Sequence, residues 1–548
     1  MPLLPPPTLP PPPHQARPAA TLLVGAAVWQ DDGREAGPRP GLAVLLQGGR
    51  IAAVGPEASL RKAHPKARLV ALGGGTLLPG LVEGHAHVRG LGEMRLKTDL
   101  TGAGSLSEAL RKVRRWMGDH PEGWILGRGW DQNRWPSKAF PAAADLDNVT
   151  GDRPAVLERV DGHAVWVNSA ALRLAGITRD TRDPAGGRIL RDARGEPTGI
   201  LVDAATTLVE RLVPEPSPED LQARLAAGLE ELKADGFTAV ADMGIEASTL
   251  AAYRALEARN ALPIRVFAYL AHDRALMLRE LRHGGAKGSF FHVQGVKFYL
   301  DGALGSRGAR LLEPYADAPD TSGLWVTDPA KVEADVAVTL ASGFQPAIHA
   351  IGDAANRAAL DLLERTRRKA PKGAPPPRIE HAQIVTERDA ARFGPLGVVA
   401  SVQPVHCTSD HAWTPARLGP ARVREAFPWR RFLNSGAVLA FGSDAPVEDS
   451  NPYVALAAAE TREDPQGDPP GGFLPDQRLT RAEALRAYTS GNARALGRAD
   501  LGVLRAGAAA DLLWVEAPLA TLPAEALRKL RAGRLWVNGV EVELPARR

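Results

Sequence analysis

A His-x-His pair, His85 and His87, is the feature of this sequence most suited to chemistry. On an extended strand, residues i and i+2 point to the same side, so both imidazoles can meet one metal ion. Further polar residues sit near the ends of later apolar runs: Lys297 in VQGVKFYLDG, His349 in FQPAIHA, His381 in RIEHAQIV and Asp444 at the close of AVLAFGSD. Taken singly, each has an ordinary structural use. A strand-end histidine commonly makes a hydrogen bond, Lys297 can reach solvent, and Asp444 in GSDAP can cap a helix. Taken together, in the order His-x-His, Lys, His, His, Asp, they describe a metal centre. Imidazole and carboxylate donors suit zinc, and also iron, manganese, nickel or cobalt, because no soft thiolate fixes the choice.

Such a set needs a scaffold that brings strand ends to one place. Apolar runs recur at 76–87, 237–244, 264–270, 293–302, 344–350, 378–385, 398–405 and 437–444, with helical-looking stretches between them. Strands alternating with helices predict an α/β fold with a parallel sheet. Eight units predict a closed (β/α)8 TIM barrel, whose active site lies at the carboxyl ends of its strands; a doubly wound open sheet is the alternative. The barrel is expected over residues 76–499. About 150 residues separate the first run from the second, where a crossover needs only a dozen or so. An inserted α/β subdomain is therefore expected at 95–230, after the first barrel strand. TLLVGAAVW and GLAVLLQGGRIAAVG near the start, and AADLLWVEA and GRLWVNGVEVEL near the end, read as short strands. Neither end has strands enough for a core of its own, so residues 19–75 and 500–548 are expected to form one composite β-sandwich domain.

Composition bounds the function. Of 548 residues, 44% are hydrophobic and 24% charged, and the net charge is only +4, with no dense Lys/Arg run. That argues for an ordinary globular chain and against a nucleic-acid partner. No apolar stretch is long enough for a membrane span, and none is expected. The N-terminal MPLLPPPTLPPPPHQARPAA lacks the form of a signal peptide; residues 1–18 are expected to be a disordered, polyproline-like tail. The single cysteine, Cys407, excludes an intramolecular disulfide and fits a reducing, cytoplasmic location.

The sequence resembles the amidohydrolase superfamily, in particular the family 3 branch of N-substituted formamide deformylase-like and YtcJ-like metal-dependent hydrolases. PGLVEGHAH is similar to the superfamily's first-strand motif, and VKFYLDGALGSRGA, AIHAIGDAANR, RIEHAQ and FGSDAPV are similar to successive motifs of this branch. GRGWDQNRWP, DGHAVWVNSAAL and GEPTGIL continue the likeness into the insert. Glu83 stands where many superfamily members carry Asp, two residues before the first histidine. The resemblance implies metal ligands at His85, His87, Lys297, His349, His381 and Asp444, two divalent metal ions, most readily zinc, and a Lys297 carboxylated by carbon dioxide to bridge them. It implies hydrolysis of a carbon–nitrogen bond other than a peptide bond, with Asp444 as the proton shuttle. A cyclic amidase, deaminase or esterase on the same scaffold, or a non-catalytic relative, is the alternative reading.

Substrate contacts are expected from Asp301 and Arg307, just beyond the fourth run, and from His163 if the insert covers the mouth as a lid. Trp130, Trp135 and Trp166 could line an apolar pocket or pack within the insert. His406, Cys407 and His411 follow the seventh run and could support the ligands without binding metal. The expected partners are a small amide-like substrate and, in a homodimer, a second copy of the chain.

Overall fold

Each of the eight apolar runs overlaps one strand of a single parallel sheet. In chain order these are β1 (Leu81–Ala86), β2 (Phe237–Ile245), β3 (Arg265–Leu270), β4 (Phe291–Tyr299), β5 (Gln345–Ala350), β6 (Arg378–His381), β7 (Val399–Val402) and β8 (Leu439–Phe441). Neighbours in sequence are neighbours in the sheet. At the carboxyl ends β1 also meets the segment after β8: Asp444 N donates to His85 O at 2.7 Å, and His87 N donates to Ala445 O at 2.8 Å. The sheet thus curls into the expected TIM barrel, nearly closed, and its closing contacts lie among the predicted ligands. Strands such as β1 and β3 are buried along their whole length, because parallel strands are covered on both faces. Helices Ala247–Ala258, Arg274–Arg282, Pro329–Ala341 and Asp353–Thr366 provide the crossovers between β2 and β6. Asp273 and Asp328 cap two of them by accepting from Leu276 N and Ala330 N.

This computed structural model describes residues 20–31, 35–160, 163–184 and 186–544. The Pro-rich segment expected to be disordered, 1–18, lies outside them. Among the described residues, Arg89–Gly228 cluster as one compact unit, and the chain up to Val88 joins Leu229 onward in the other.

The first apolar run does not stay in one sheet. Thr76–Pro79 pairs antiparallel with Leu512–Val515 of the distant C-terminal segment, with Leu78 opposite Leu513, and only the residues after Gly80 enter the barrel. A Cβ at Gly80 would collide with the Thr238 side chain, so the crossing needs glycine. A six-stranded sheet runs Val540–Val542, Arg534–Val537, Leu512–Val515, Thr76–Pro79, Ala27–Asp31, Ala36–Arg39. It faces a four-stranded sheet built from Thr21–Val24, Leu42–Gln47, Arg50–Pro56 and Arg68–Ala71. Leu23, Val44, Leu77, Leu512 and Trp536 fill one core, so the β-sandwich is composite, as expected from both chain ends. Pro38 lies on the edge strand Ala36–Arg39, where a missing N–H breaks no ladder.

The Arg89–Gly228 unit has its own mixed six-stranded sheet, ordered Gly187–Arg191, Pro197–Asp203, Ala164–Val167, Ala155–Arg159, Ile125–Trp130, Thr98–Asp99. Trp130, Trp135 and Trp166 pack together in its core, and their indole N–H groups donate to Leu157 O, Ala103 O and Ala142 O. The tryptophans therefore stabilise the insert itself. Among the described residues, no helix is long and apolar enough to cross a membrane.

Candidate metal centre

His85 is the penultimate residue of β1 and wholly buried; His87 follows the strand. Their rings lie 5.7 Å apart, and both Nε2 atoms face Asp444 Oδ1, at 3.4 Å from His85 and 3.1 Å from His87. The His-x-His spacing does what strand geometry requires. Close packing keeps it there: a Cβ at Gly84 would strike Asn492 Oδ1 and Phe441 O, and Glu83 accepts from both His85 N and Ser443 N at 2.9 Å. Glu83 thereby clips β1 to the turn after β8 and is not aimed at the donors. Burial pushes its pKa up to about 8.

Three histidines are held in the same protonation pattern. Nδ1 of His85 lies 2.6 Å from Glu380 Oε2, Nδ1 of His87 3.0 Å from Met243 O, and Nδ1 of His381 3.0 Å from Gln403 Oε1. Each partner is an acceptor, so each Nδ1 carries the proton and each Nε2 keeps its lone pair. Burial also favours neutral rings. It lowers His85 to about 4, His349 to about 3 and His381 well below the ordinary imidazole value, with the Lys297 charge adding to the effect on His85 and His349. Neutral imidazole is the form that binds metal.

Lys297, on β4, is 1% exposed, with Nζ 3.3 Å from His85 Nε2. Burial lowers its pKa to about 8. His349 is the penultimate residue of β5 and packs against His381, ring to ring at 4.5 Å. His381 and Asp444 both hold left-handed backbone, φ +70° and +60°. Such conformations cost free energy in non-glycine residues and concentrate at functional sites.

His406, from helix Pro404–Asp410 after β7, joins this cluster. Its Nε2 lies 3.7 Å from Asp444 Oδ2, and its ring is parallel to that of His381 at 6.0 Å. The donor atoms of His85, His87 and Asp444 lie within 4.8 Å of one another, as do those of His381, His406 and Asp444. Two three-donor groups thus share Asp444. His349 Nε2, His406 Nε2 and Asp444 Oδ1 are buried without any hydrogen-bond partner. Buried polar atoms are rarely left so, and a set of neutral imidazoles with a carboxylate fits divalent cations.

The residues expected to contact substrate each have protein partners. Asp301 is buried and accepts from Arg310 N, Ile351 N and Gly352 N, which ties the loop after β4 to the end of β5; its Oδ1 lies 3.6 Å from His349 Nε2. Arg307 forks onto Asp317 at 2.9 and 3.1 Å, so its guanidinium is already engaged. His163 is exposed in the Arg89–Gly228 unit, with Nδ1 2.9 Å from Asp203 Oδ1. His411 pairs with Asp468 at 2.8 Å, and Cys407 is a buried thiol pushed up to about 11 by burial.

The donor cluster opens into a cavity of about 350 Å³. His87, Lys297, His349, His381, His406 and Asp444 all line it. The site can therefore hold metal at the wall of a pocket large enough for a small organic molecule.

Known proteins share the sequence and the fold of this chain. The sequence profile of the amidohydrolase family matches residues 68–543, and that of the bacterial imidazolonepropionase-like composite domain matches residues 43–67. YtcJ of Bacillus subtilis (strain 168) is 31% identical over 507 residues, 91% of this chain and 95% of that one. The N-substituted formamide deformylase of Arthrobacter pascens is 29% identical over 521 residues, 91% of this chain and 94% of that one. The crystal structure of an uncharacterized metal-dependent hydrolase from Pyrococcus horikoshii OT3 superposes with a TM-score of 0.77 at 27% identity, covering 92% of this chain and 99% of that one. With the profile spanning most of its length and the barrel carrying the motif residues at its strand ends, the chain belongs to the amidohydrolase family, in its family 3 branch.

Proposed function

We propose that this chain is a metal-dependent hydrolase that cleaves a carbon–nitrogen bond other than a peptide bond, in an amide or an N-substituted formamide. The observation that carries the reading is the setting of Asp444. This carboxylate is 7% exposed, one of its oxygens accepts no hydrogen bond, and imidazole nitrogens surround it at 3.1, 3.4 and 3.7 Å. The names of the Arthrobacter deformylase and the Pyrococcus hydrolase point the same way.

His85, His87, Lys297, His349, His381 and Asp444 would hold two divalent cations, taken here as zinc. When bound, such ions supply Lewis acidity, which acidifies water toward neutrality and polarises a carbonyl. Glu380, Met243 O and Gln403 keep Nε2 of their histidines turned inward. An ammonium on Lys297 would repel the cations. With its pKa lowered by burial, the lysine offers a neutral amine that can add to carbon dioxide, forming an Nζ–C bond and releasing one proton to solvent. The resulting carbamate is an anion with two oxygen donors. Asp444 accepts the proton of the attacking water and delivers it to the amide nitrogen as the C–N bond breaks, leaving a carboxylic acid and an amine.

The test is a screen of N-formyl and N-acyl amines, cyclic amides and esters on chelator-treated protein, with and without added zinc. Amine release that depends on zinc is expected. Amine release independent of metal contradicts the reading.

A further inference from the structure

His87 is the donor with the least protein packed around it. Its side chain is 33% exposed, against 14% or less for those of His85, His349 and His406. It also stands just outside a strand. The ladder between β1 and β2 ends where Ala86 faces Asp242, one residue short of His87. Two consecutive residues of β2 take over from the ladder. Met243 O lies 3.0 Å from the ring Nδ1. Asp242 Oδ1 accepts from Val88 N at 2.9 Å. That N–H is the first of helix Val88–Leu96, so it has no acceptor within the helix. The backbone at His87 is thereby held on two sides: its own N–H donates to Ala445 O, and the next one to Asp242.

Asp242 is itself fixed. It is buried, and Tyr253, wholly buried on helix Ala247–Ala258, donates to its Oδ2 at 2.6 Å. The Tyr253 ring stacks on Phe291 of β4, with centroids 5.1 Å apart and planes 18° from parallel. The phenol thus sets the rotamer from which the other carboxylate oxygen meets Val88 N. Neither Asp242 nor Tyr253 is among the described residues that line the cavity, so neither is placed to touch substrate. Their route to the chemistry runs through His87.

We infer that Asp242, ordered by Tyr253, is a positioning residue for the metal centre: it fixes the backbone beyond β1 so that His87 Nε2 meets the ion shared with His85 and Asp444. Supports of this kind, one step behind a ligand, are worth about 10–100-fold in metal affinity. The inference rests on the metal-dependent reading above and adds two residues outside its six candidate ligands.

The experiment reads metal binding by the full-length protein, through calorimetric titration with zinc and the visible spectrum of the cobalt-loaded protein. Tyr253→Phe should weaken one of the two zinc equivalents about tenfold, and Asp242→Ala should weaken it by about 10–100-fold, with the other equivalent unchanged. Asp242→Asn keeps an oxygen for Val88 N and should bind near the parent level. The cobalt bands should shift in Tyr253→Phe, a change that a residue serving the fold alone does not produce. A lowered Tm in Tyr253→Phe with both zinc equivalents and the cobalt bands unchanged overturns the inference. Equal weakening of both equivalents overturns it too, as a general loosening of the barrel. So does a loss in Asp242→Asn as large as that in Asp242→Ala, since the acceptor is retained there. If Asp242→Ala fails to fold, the other two variants decide: Tyr253→Phe weakened and Asp242→Asn near the parent supports the inference, and equal loss in both overturns it. Native protein that binds no divalent metal contradicts the hydrolase reading and the inference with it, and that failure shows before any substitution is made.

Discussion

Glu380 Oε2 lies 2.6 Å from Nδ1 of His85, and both side chains are wholly buried. Arg378 clasps the same carboxylate at 2.5 and 3.1 Å and also donates to Gly84 O and Ser401 Oγ. Burial opposes charge on Glu380, but Arg378 and His85 hold its pKa well below the ordinary value. The carboxylate thus stays ionised, fixes the tautomer of His85 and keeps the Nε2 lone pair aimed at the donor cluster. Glu380 is a positioning residue for the centre.

Glu380→Gln should accordingly weaken metal binding by about 10–100-fold. It also leaves the Arg378 guanidinium buried without its charge partner, at a cost of about 3–5 kcal/mol. Competition with a chelator reads the first effect and thermal unfolding of the metal-free protein reads the second. Unchanged metal affinity with a lowered Tm would assign Glu380 to the fold alone.

Lys297→Ala removes the one side chain that can become a bridging anion on β4. Elemental analysis should find bound metal falling from two equivalents toward one. Retention of both equivalents contradicts the bridging role.

His406→Asn tests a residue placed at the cluster by the helix after β7. Its Nε2 is 3.7 Å from Asp444 Oδ2 and otherwise lacks a partner. The second metal equivalent should bind about tenfold more weakly, with the first unaffected, by calorimetric titration. Two unchanged equivalents would place His406 against substrate instead.

Acid sensitivity should arise partly at His292 on β4, whose ring stacks on Phe267 at 5.2 Å. Burial, then the charges of Arg498, Arg265 and Lys287, lower its pKa from 6.5 to about 4. The unfolded chain therefore binds this proton more readily than the folded one. The stability that neutral His292 contributes is present above pH 6.5 and is lost progressively as the pH falls toward 4. In His292→Gln the drop in Tm between neutral and mildly acid pH should be smaller than in the parent. An identical drop removes His292 from the acid response.

The order of the strand-end candidate donors was legible because barrel strands are apolar runs and these polar residues punctuate their ends. What the sequence left hidden depends on long-range meeting. Arg378 and Glu380 alternate as polar residues in a buried strand, which marks them as inward-facing, but Glu380's partner His85 is 295 positions away. His406 and Asp410 lie beyond a strand end, on a helix whose direction no periodicity encodes. Asp301 and Arg307 follow β4 closely, yet Asp301 ties down backbone amides while Arg307, at φ +58°, turns to Asp317. Loop direction, unlike strand facing, is set by tertiary partners. The passage of 76–87 from one sheet to another was marked only by Pro79–Gly80, inside an otherwise uniform apolar run.

The central claim is that Asp444 moves the proton at a metal centre built on His85 and His87. Asp444→Asn keeps the side-chain shape and an oxygen donor but removes the base. Metal content and turnover of the same preparation should therefore separate: zinc retained near the parent level, kcat for a hydrolysed amide lower by about 10²–10⁴-fold. Turnover preserved with the asparagine in place would contradict the account.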